Sequence, residues 1–572
     1  MLGKSLTVAM ALVTLLANAC APSTAPSSIS SSASSASEAQ PRAPKTLTIA
    51  QDFEPPDIEG FGSIVRPAGS GGLREVVHNR LARRIRDGQV QPELAAELPS
   101  LERGTWQVYP DGTMDVTWRI RPNVKWHDGT PFTSADLMFS FDVYKNPALP
   151  PTAAAGTFRL MQSATAPDDL TFVLRWSQVD STAPEAVGFT PLPRHLMEET
   201  FQADKDAFVN SPRFRTDFVG LGPYKLVNWE LGSHMELARF DEYYGGRPPL
   251  DTVVIRFIHD ANTIIANLLS GTVDVAIRPK VDLSTAIDLK ERWEGMGNQA
   301  WIEPSGRVHY GEAQRRLDVA KPHNGLTDPL VRRAFLMAMD RQALSDAFTR
   351  GFAPIADSYM APDDPLRAEV ESSIVRYPYD PAGAQRLLAE AGWTRGSDGI
   401  LVHRDTGEPF EGEVWAAPEA TQKEEPAILA NTWNALGTRL SPYHIPVARV
   451  NDRELAAKSP TFTVSDGQAA STWYLPDRLH SRFIAAPANS WGGRNKFGHS
   501  SPRIDELLDR LQVTIDPRAR VDLHRQLVEE ETRDVAFFPV YWEVVPIFAA
   551  RGITPSPSRP IALSEFVAWT RE

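Results

Sequence analysis

The stretch from Gly220 to Ile277 constrains this chain more than any other. It runs GLGPYKLVNWELGSHMELARFDEYYGGRPPLDTVVIRFIHDANTIIANLLSGTVDVAI. It reads as strand, turn, strand, a glycine–proline loop, strand, a helix from Ala261 to Ser270, a stop at Gly271 and a short buried strand. Strand, helix and strand in such close succession build a parallel β-α-β unit, because the helix is the crossover that returns the chain to the same end of the sheet. An α/β lobe follows. At 572 residues the chain is longer than one hydrophobic core can serve, since cores stop growing at about 250–300 residues. At least one further domain is expected.

Around this unit the pattern stays mixed. Leu47 to Gln51 reads as a buried strand ending in the polar loop DFEPPDIEG. From Gly69 a glycine loop leads into apolar residues at helical spacing, Leu73, Val76, Val77, Leu81 and Ile85, which predicts a helix to Ile85. No Lys-Ser/Thr follows those glycines, so they are not a phosphate loop. Asp111-Gly112 between alternating apolar runs predicts a hairpin, and Ser163 to Trp176 repeats the pattern. Thr133 or Ser134 caps a helix carrying Leu137, Met138, Phe141 and Tyr144. His127-Asp128 in the turn before it reads as structural, since no serine-nucleophile motif accompanies it. Asp328 to Leu344 predicts one amphipathic helix, Tyr379 to Trp393 another, Pro517 to Thr532 a long one, and Ala536 to Ala550 strand pieces broken by two prolines.

Charge and cysteine usage remove whole classes. Fifty-nine basic against 72 acidic residues leave −13, the wrong sign for gripping nucleic acid. The one cysteine, Cys20, excludes disulfides, zinc ribbons and iron–sulfur clusters from the folded body. The 12 histidines show no i, i+4 pairing and no EF-hand loop occurs, so neither metal nor cofactor is expected. Lys4, the apolar run Leu6 to Ala17, then Asn18 and Ala19 form the three regions of a secretory signal over residues 1–19. A small residue before a lone cysteine resembles a lipoprotein cleavage site, though Ala17 stands where leucine is usual. Cys20 is then either an acylated first residue or part of an ordinary secreted leader. Residues 20–45, mostly Ser, Ala and Pro, cannot offset their ordering entropy and read as a tether. No later segment is long and apolar enough to span a bilayer.

Seven strings carry a resemblance: VKWHDGTPFTSADLMFSF, GLGPYKLVNWE, RFDEYYGGRPPLD, DANTIIANLLSGTVDV, DPLVRRAFLMAMDRQAL, YDPAGAQRLLAEAGW and the closing helix with FFPVYWE. In that order they resemble the extracellular solute-binding proteins of ABC importers, family 5, the oligopeptide, dipeptide and nickel group. The resemblance implies an α/β fold, a two-lobed clamshell of the periplasmic-binding-protein type II with an extra subdomain. By analogy residues 46–75, 196–278 and 536–572 build the first lobe, 76–195 the subdomain and 279–535 the second lobe. It implies a lipid-anchored, extracytoplasmic monomer that captures a solute, of the oligopeptide or dipeptide class, and hands it to membrane permease subunits without catalysis.

Peptide-binding members of that family hold the ligand's α-amine with an aspartate in the second lobe. The corresponding segment here is SDGQAASTWYLPDRLHSRFI, Ser465 to Ile484. The best register puts Trp473 at the aspartate's position, with Asp466 and Asp477 on either side. An ammonium buried without its counter-charge costs several kcal/mol. So either another carboxylate substitutes, or the ligand has no free amine and Trp473, Tyr474, Trp491 and Trp415 offer stacking faces to a sugar or apolar group. The alternatives that remain are an oligosaccharide or other non-peptide solute in the same fold, or a secreted hydrolase. The hydrolase would need a nucleophile–base set, and no HExxH or GxSxG is present.

Overall fold

The structure is a computed structural model and describes residues 45–59, 70–84, 89–150, 155–185, 189–323, 325–416, 424–468, 474–554 and 570–571. The signal, the tether up to residue 44 with Cys20, and Ile85 lie outside them. Ten strands form the main sheet: β1 (Thr46–Gln51), β2 (Tyr224–Glu230), β3 (His234–Arg239), β4 (Thr252–Phe257), β5 (Val275–Ile277), β6 (Gln299–Ala313), β7 (Glu411–Ala416), β8 (Arg439–His444), β9 (Phe462–Gln468) and β10 (Phe538–Ala549). Across the sheet they run β8-β7-β9-β6-β10-β5-β1-β4-β3-β2. β1 lies parallel to both β4 and β5, and the helix Ala261–Leu269 joins those two as the β-α-β reading requires. Asp260 starts that helix by accepting the Thr263 N–H at 2.7 Å, which satisfies one of the orphan donors of the first turn.

β6 and β10 belong to both halves of the sheet. Gln299 to Pro304 pair with Val544 to Ala549 beside β5, and Val308 to Gly311 pair with Phe538 to Trp542 beside β9. The register shifts between Pro304 and Val308, so the crossing between halves is a local irregularity in an otherwise continuous ladder. One side is filled by Leu47, Ile49, Val253, Ile255 and Val275. The other is filled by Phe335, Trp433, Phe462 and Phe538, with Trp433 stacked on Phe462 at 4.2 Å. Leu289 and Trp293, of the helix Leu283–Gly295, pack with Ala50, Ile264 and Leu268. The first half therefore runs past residue 278 to the crossing.

A separate four-stranded sheet, Trp106–Val108, Met114–Arg119, Thr171–Trp176 and Met161–Asp168 in that order, closes over Trp118, Trp126, Phe172 and Trp176. Both expected hairpins are there, and Gly112 takes φ +82° in the first turn. The capped helix is Ser134–Lys145, with Asp136 accepting the Thr133 N–H at 3.0 Å. Phe201, Phe208 and Phe214 pack with Phe139 and Val143 of this helix, which carries the subdomain's core beyond residue 195.

Three expectations change. The helix expected from Gly69 to Ile85 stops at Val77, and Ala82–Arg84 is a strand. Its end is fixed by a close backbone approach: a Cβ on Gly220 would lie 2.0 Å from the Val77 carbonyl oxygen, and the Gly222 N–H donates to that oxygen at 3.0 Å. The helix expected from Asp328 to Leu344 is two, Pro329–Met337 and Arg341–Thr349. Asp340 caps the second by accepting the Ala343 N–H at 2.9 Å, while buried Arg341 donates to the carbonyls of Ala356 and Tyr377. The C-terminal apolar run is one continuous strand, β10, whose register shifts next to Pro539.

Two histidines clamp the Gly220–Leu221–Gly222 backbone. His127 Nδ1 accepts the Gly220 N–H at 3.2 Å and its Nε2 donates to the Gly222 carbonyl at 3.0 Å. His78 Nδ1 accepts the Leu221 N–H at 3.1 Å and its Nε2 donates to the Pro191 carbonyl at 3.0 Å. Each ring must stay neutral to accept at Nδ1, and burial pulls His78 down to about 3 and His127 to about 4. His127 is therefore a structural clamp, and Asp128 pairs with His195 at 2.7 Å instead.

Candidate functional site

The crossing between the halves gathers charge. β6 should be buried on both faces, yet it carries Arg307, His309 and Glu312 within six residues. The Glu543 carboxylate, on β10 beside the register break, accepts from Arg278 at 2.9 Å and from the Ser305 hydroxyl at 2.6 Å, and Arg307 Nε lies 3.8 Å away. Arg307 also donates to Asp466 on β9 at 2.5 Å. Arg278 sits at φ +50° directly after β5, so three strands and the segment leaving a fourth converge on two carboxylates.

Two residues further along, the paired positions His309 on β6 and Tyr541 on β10 lie flat together, rings 4.5 Å apart and 14° inclined. His309 Nδ1 is 3.2 Å from Glu425 Oε2 and 3.1 Å from the Tyr541 hydroxyl. All three side chains are buried. Burial pulls the imidazole's pKa down, but the Glu425 carboxylate outweighs it and leaves His309 above its ordinary value. Burial drives the Tyr541 phenol well up.

Residues 474–496 close over the same strand. Arg478 donates to the Tyr310 hydroxyl, covers that ring, and lies 3.5 Å from Glu312. Burial raises the Glu312 carboxyl against the pull of Arg478 and Lys496. Lys496 is solvent-exposed, yet the surrounding protein lowers its ammonium's pKa. Asp477 has the same character: half-exposed, its carboxyl raised by burial, with Arg494 no nearer than 4.0 Å.

The expected ligand residues fall in distinct settings. Trp473 lies outside the described residues. Tyr474 begins the helix Tyr474–Leu479 that carries Asp477 and Arg478. Asp466 is the β9 partner of His309 and is tied to Arg307. Trp491 is half-buried at φ +57°, with Arg316 and Lys458 over its ring at 5.1 and 5.2 Å. Trp415 is 7% exposed, packs on Tyr443 at 4.4 Å and donates its indole N–H to Glu413 at 2.6 Å, on the face of β7 opposite the core residues Val414 and Ala416. Arg307, His309, Glu425 and Glu543 escaped the sequence reading. For Arg307, His309 and Glu543 the signal is a charged or titratable residue inside a strand-like run, in SGRVHYGEA and VYWEVVP; Glu425, at the start of the helix Glu425–Asn434, carries no such signal. Among the described residues no three His, Cys, Asp or Glu side chains converge as a metal site, and no helix is long and apolar enough to cross a membrane.

Comparison with known proteins follows the fold. The model of the bacterial extracellular solute-binding proteins, family 5 Middle, matches residues 89–475. An ABC transporter peptide-binding protein of Brucella ovis is 28% identical over 321 residues, 55% of this chain and 56% of its own length, so the match spans little more than half of that relative. Heme-binding protein A of Haemophilus influenzae is 24% identical over 499 residues, 81% of each chain. Among solved structures, NikZ of Campylobacter jejuni in complex with Ni(L-His) superimposes with TM-score 0.71 at 20% identity, over 92% of this chain and all of that one. The oligopeptide-binding protein of Thermus thermophilus with a pentapeptide gives 0.71 at 22%, over 92% and 96%. The fold is theirs, a two-lobed clamshell of mixed α/β lobes. The chain belongs to the bacterial extracellular solute-binding proteins of family 5.

Proposed function

We propose that this chain is the substrate-binding component of an ABC importer, which takes a solute of the oligopeptide or dipeptide class into a cleft and delivers it to a membrane permease. The carrying observation is the two-strand crossing ringed by charge, at Arg307, Asp466, Glu543 and Arg278. Such a crossing lets two bodies rotate about one axis and close on a ligand. The lobes divide there, the first holding β1 to β5 with the 76–195 subdomain and the second holding β7 to β9. The protein acts extracytoplasmically as a monomer and catalyses no reaction.

Within the cleft, Asp477 is the carboxylate for a ligand's amine, since its own partner is distant and its charge is held back by burial. Asp466 is already neutralised by Arg307. Trp473, Tyr474, Trp491 and Trp415 supply stacking surface. Trp473→Ala should weaken peptide binding about ten- to a hundredfold, the worth of one buried ring, with the melting temperature held within a few degrees. Native mass spectrometry of protein purified without denaturation, followed by calorimetric titration with tri- to pentapeptides, tests the reading. A retained sugar or metal complex with no peptide binding would favour the non-peptide alternative, and turnover of any peptide would reject a pure binding role.

Cys20 serves as the lipid attachment point. Two acyl chains on a glyceryl cysteine hold a protein durably where one chain does not. Cys20→Ala should move the protein from the membrane fraction to the soluble one. Retention at the membrane would place the anchor elsewhere.

A further inference from the structure

Besides β6 and β10, a third contact joins the parts that would rotate. The 76–195 subdomain presents a turn at Asp180, whose carboxylate accepts the Thr182 N–H at 2.8 Å and its hydroxyl at 2.7 Å. Those bonds hold the turn in which Ser181 sits. Its N–H donates to the Gln512 carbonyl at 2.8 Å and its hydroxyl to the Leu511 carbonyl at 3.2 Å. Arg520 reaches back to the Ser181 hydroxyl, to the Leu511 carbonyl at 2.7 Å and to the Thr514 carbonyl at 3.1 Å. Between them Ile515 packs against the subdomain's hydrophobic core. The residues in contact are more than 300 positions apart in sequence.

The second-lobe side of this contact is rigidly owned. Leu511 and Leu523 belong to one core, formed by the helices Pro502–Val513 and Pro517–Asp534. The far end of the longer helix is fastened at Asp534 to Arg315 and Arg332. An 18-residue helix is about 27 Å long, so the Ser181 contact lies most of a helix length from that fastening. A hydrogen bond weakens steeply once its geometry is lost, so a rotation about the crossing cannot keep those at Ser181. The acceptors for Ser181 are the Leu511 and Gln512 carbonyls in the last turn of their helix, which water can satisfy once the contact parts. Such a contact can break and re-form.

We propose that the Ser181 turn and the Leu511–Arg520 corner form a latch between the subdomain and the second lobe, which releases before the cleft opens and sets how far the ligand-free protein stays closed. This rests on the lobe division proposed above.

The test uses the full chain without ligand, read by small-angle scattering and by amide hydrogen exchange. Arg520→Ala should raise the radius of gyration and speed exchange over residues 180–183 about tenfold or more, the loss expected for hydrogen bonds to a charged donor. Ser181→Ala should act in the same direction while leaving Arg520 bonded to Leu511 and Thr514. Unchanged exchange at Leu523 to Val528 shows that the helix itself is intact. A third variant, Glu543→Ala, loosens the crossing without touching the latch. If it expands the protein while the other two leave size and exchange as they were, the lobes move but no latch holds them. If none of the three changes either readout, the lobe division fails together with the latch.

Discussion

Asp534→Ala should be among the most destabilising single substitutions in this protein. Its carboxylate accepts from Arg315 at 2.6 Å and from Arg332, and lies 3.4 Å from His499, while its backbone carbonyl accepts the Arg332 Nε–H at 2.9 Å. Burial alone would raise the Asp534 pKa, but His499 and the two guanidinium groups hold it well below the usual carboxylate range. Arg332 depends on it: its side chain is 2% exposed, and burial brings it down to about 9. Removing the carboxylate strands a buried cation, which costs about 3–5 kcal/mol. Replacing Arg332 by Met in the same chain should recover part of that loss, because the stranded charge is then gone. Thermal melts of the two variants check both statements, and an Asp534→Ala melt equal to the parent's would reject the first.

Acidification from pH 7 to about 4.5 should lower stability through histidines rather than carboxylates. Burial lowers His78 to about 3, and His127 and His524 to about 4. In the unfolded chain each titrates near 6.5, so below that pH the unfolded state takes up protons that the fold refuses. At pH 4.5 each such group disfavours the fold by on the order of 2 kcal/mol. Glu531 runs the other way. Burial pushes it up to about 8, so its contribution is present below the unfolded value near 4.5 and is lost as pH rises through 8. It offsets roughly one histidine, and the raised His309, Glu312 and Asp477 add to that offset, against which the three lowered histidines still leave a net loss. Asp534, with its depressed pKa, adds its own loss only below about pH 4. A melting temperature that stays flat between pH 7 and 4.5 would contradict this accounting, and Glu531→Gln should steepen the acid slope.

What the sequence disclosed is local. Asp328-Pro329, Asp380-Pro381 and Asp516-Pro517 announce helix starts because an aspartate oxygen and a proline each suit an unbonded first turn. Asp-Gly announces a hairpin for an equally local reason. The helix break at Met339–Asp340 was hidden because apolar spacing continues across it, and only Arg341's reach to Ala356 and Tyr377 turns the chain. The site was half legible. Resemblance pointed to the segment around Asp466 and Asp477. The partners that define their electrostatics are far off in sequence: Arg307 is 159 residues from Asp466, and Arg278 is 265 from Glu543. Such pairs exist only once β6, β9 and β10 are in register, and no periodicity encodes that.

The position of β10 bears on the order in which the molecule can be completed. It is the last strand of the main sheet along the chain, yet it lies in the sheet's interior, between β6 and β5. A chain that ends before Phe538 can assemble β8-β7-β9-β6 on one side and β5-β1-β4-β3-β2 on the other. Each fragment then presents a bare edge of unpaired N–H and C=O groups where β10 belongs. Such edges template pairing with other chains. A nascent chain thus stays unlocked until Phe538–Ala549 arrives, and a premature stop between Gln468 and Phe538 leaves two sticky half-sheets rather than a smaller working protein.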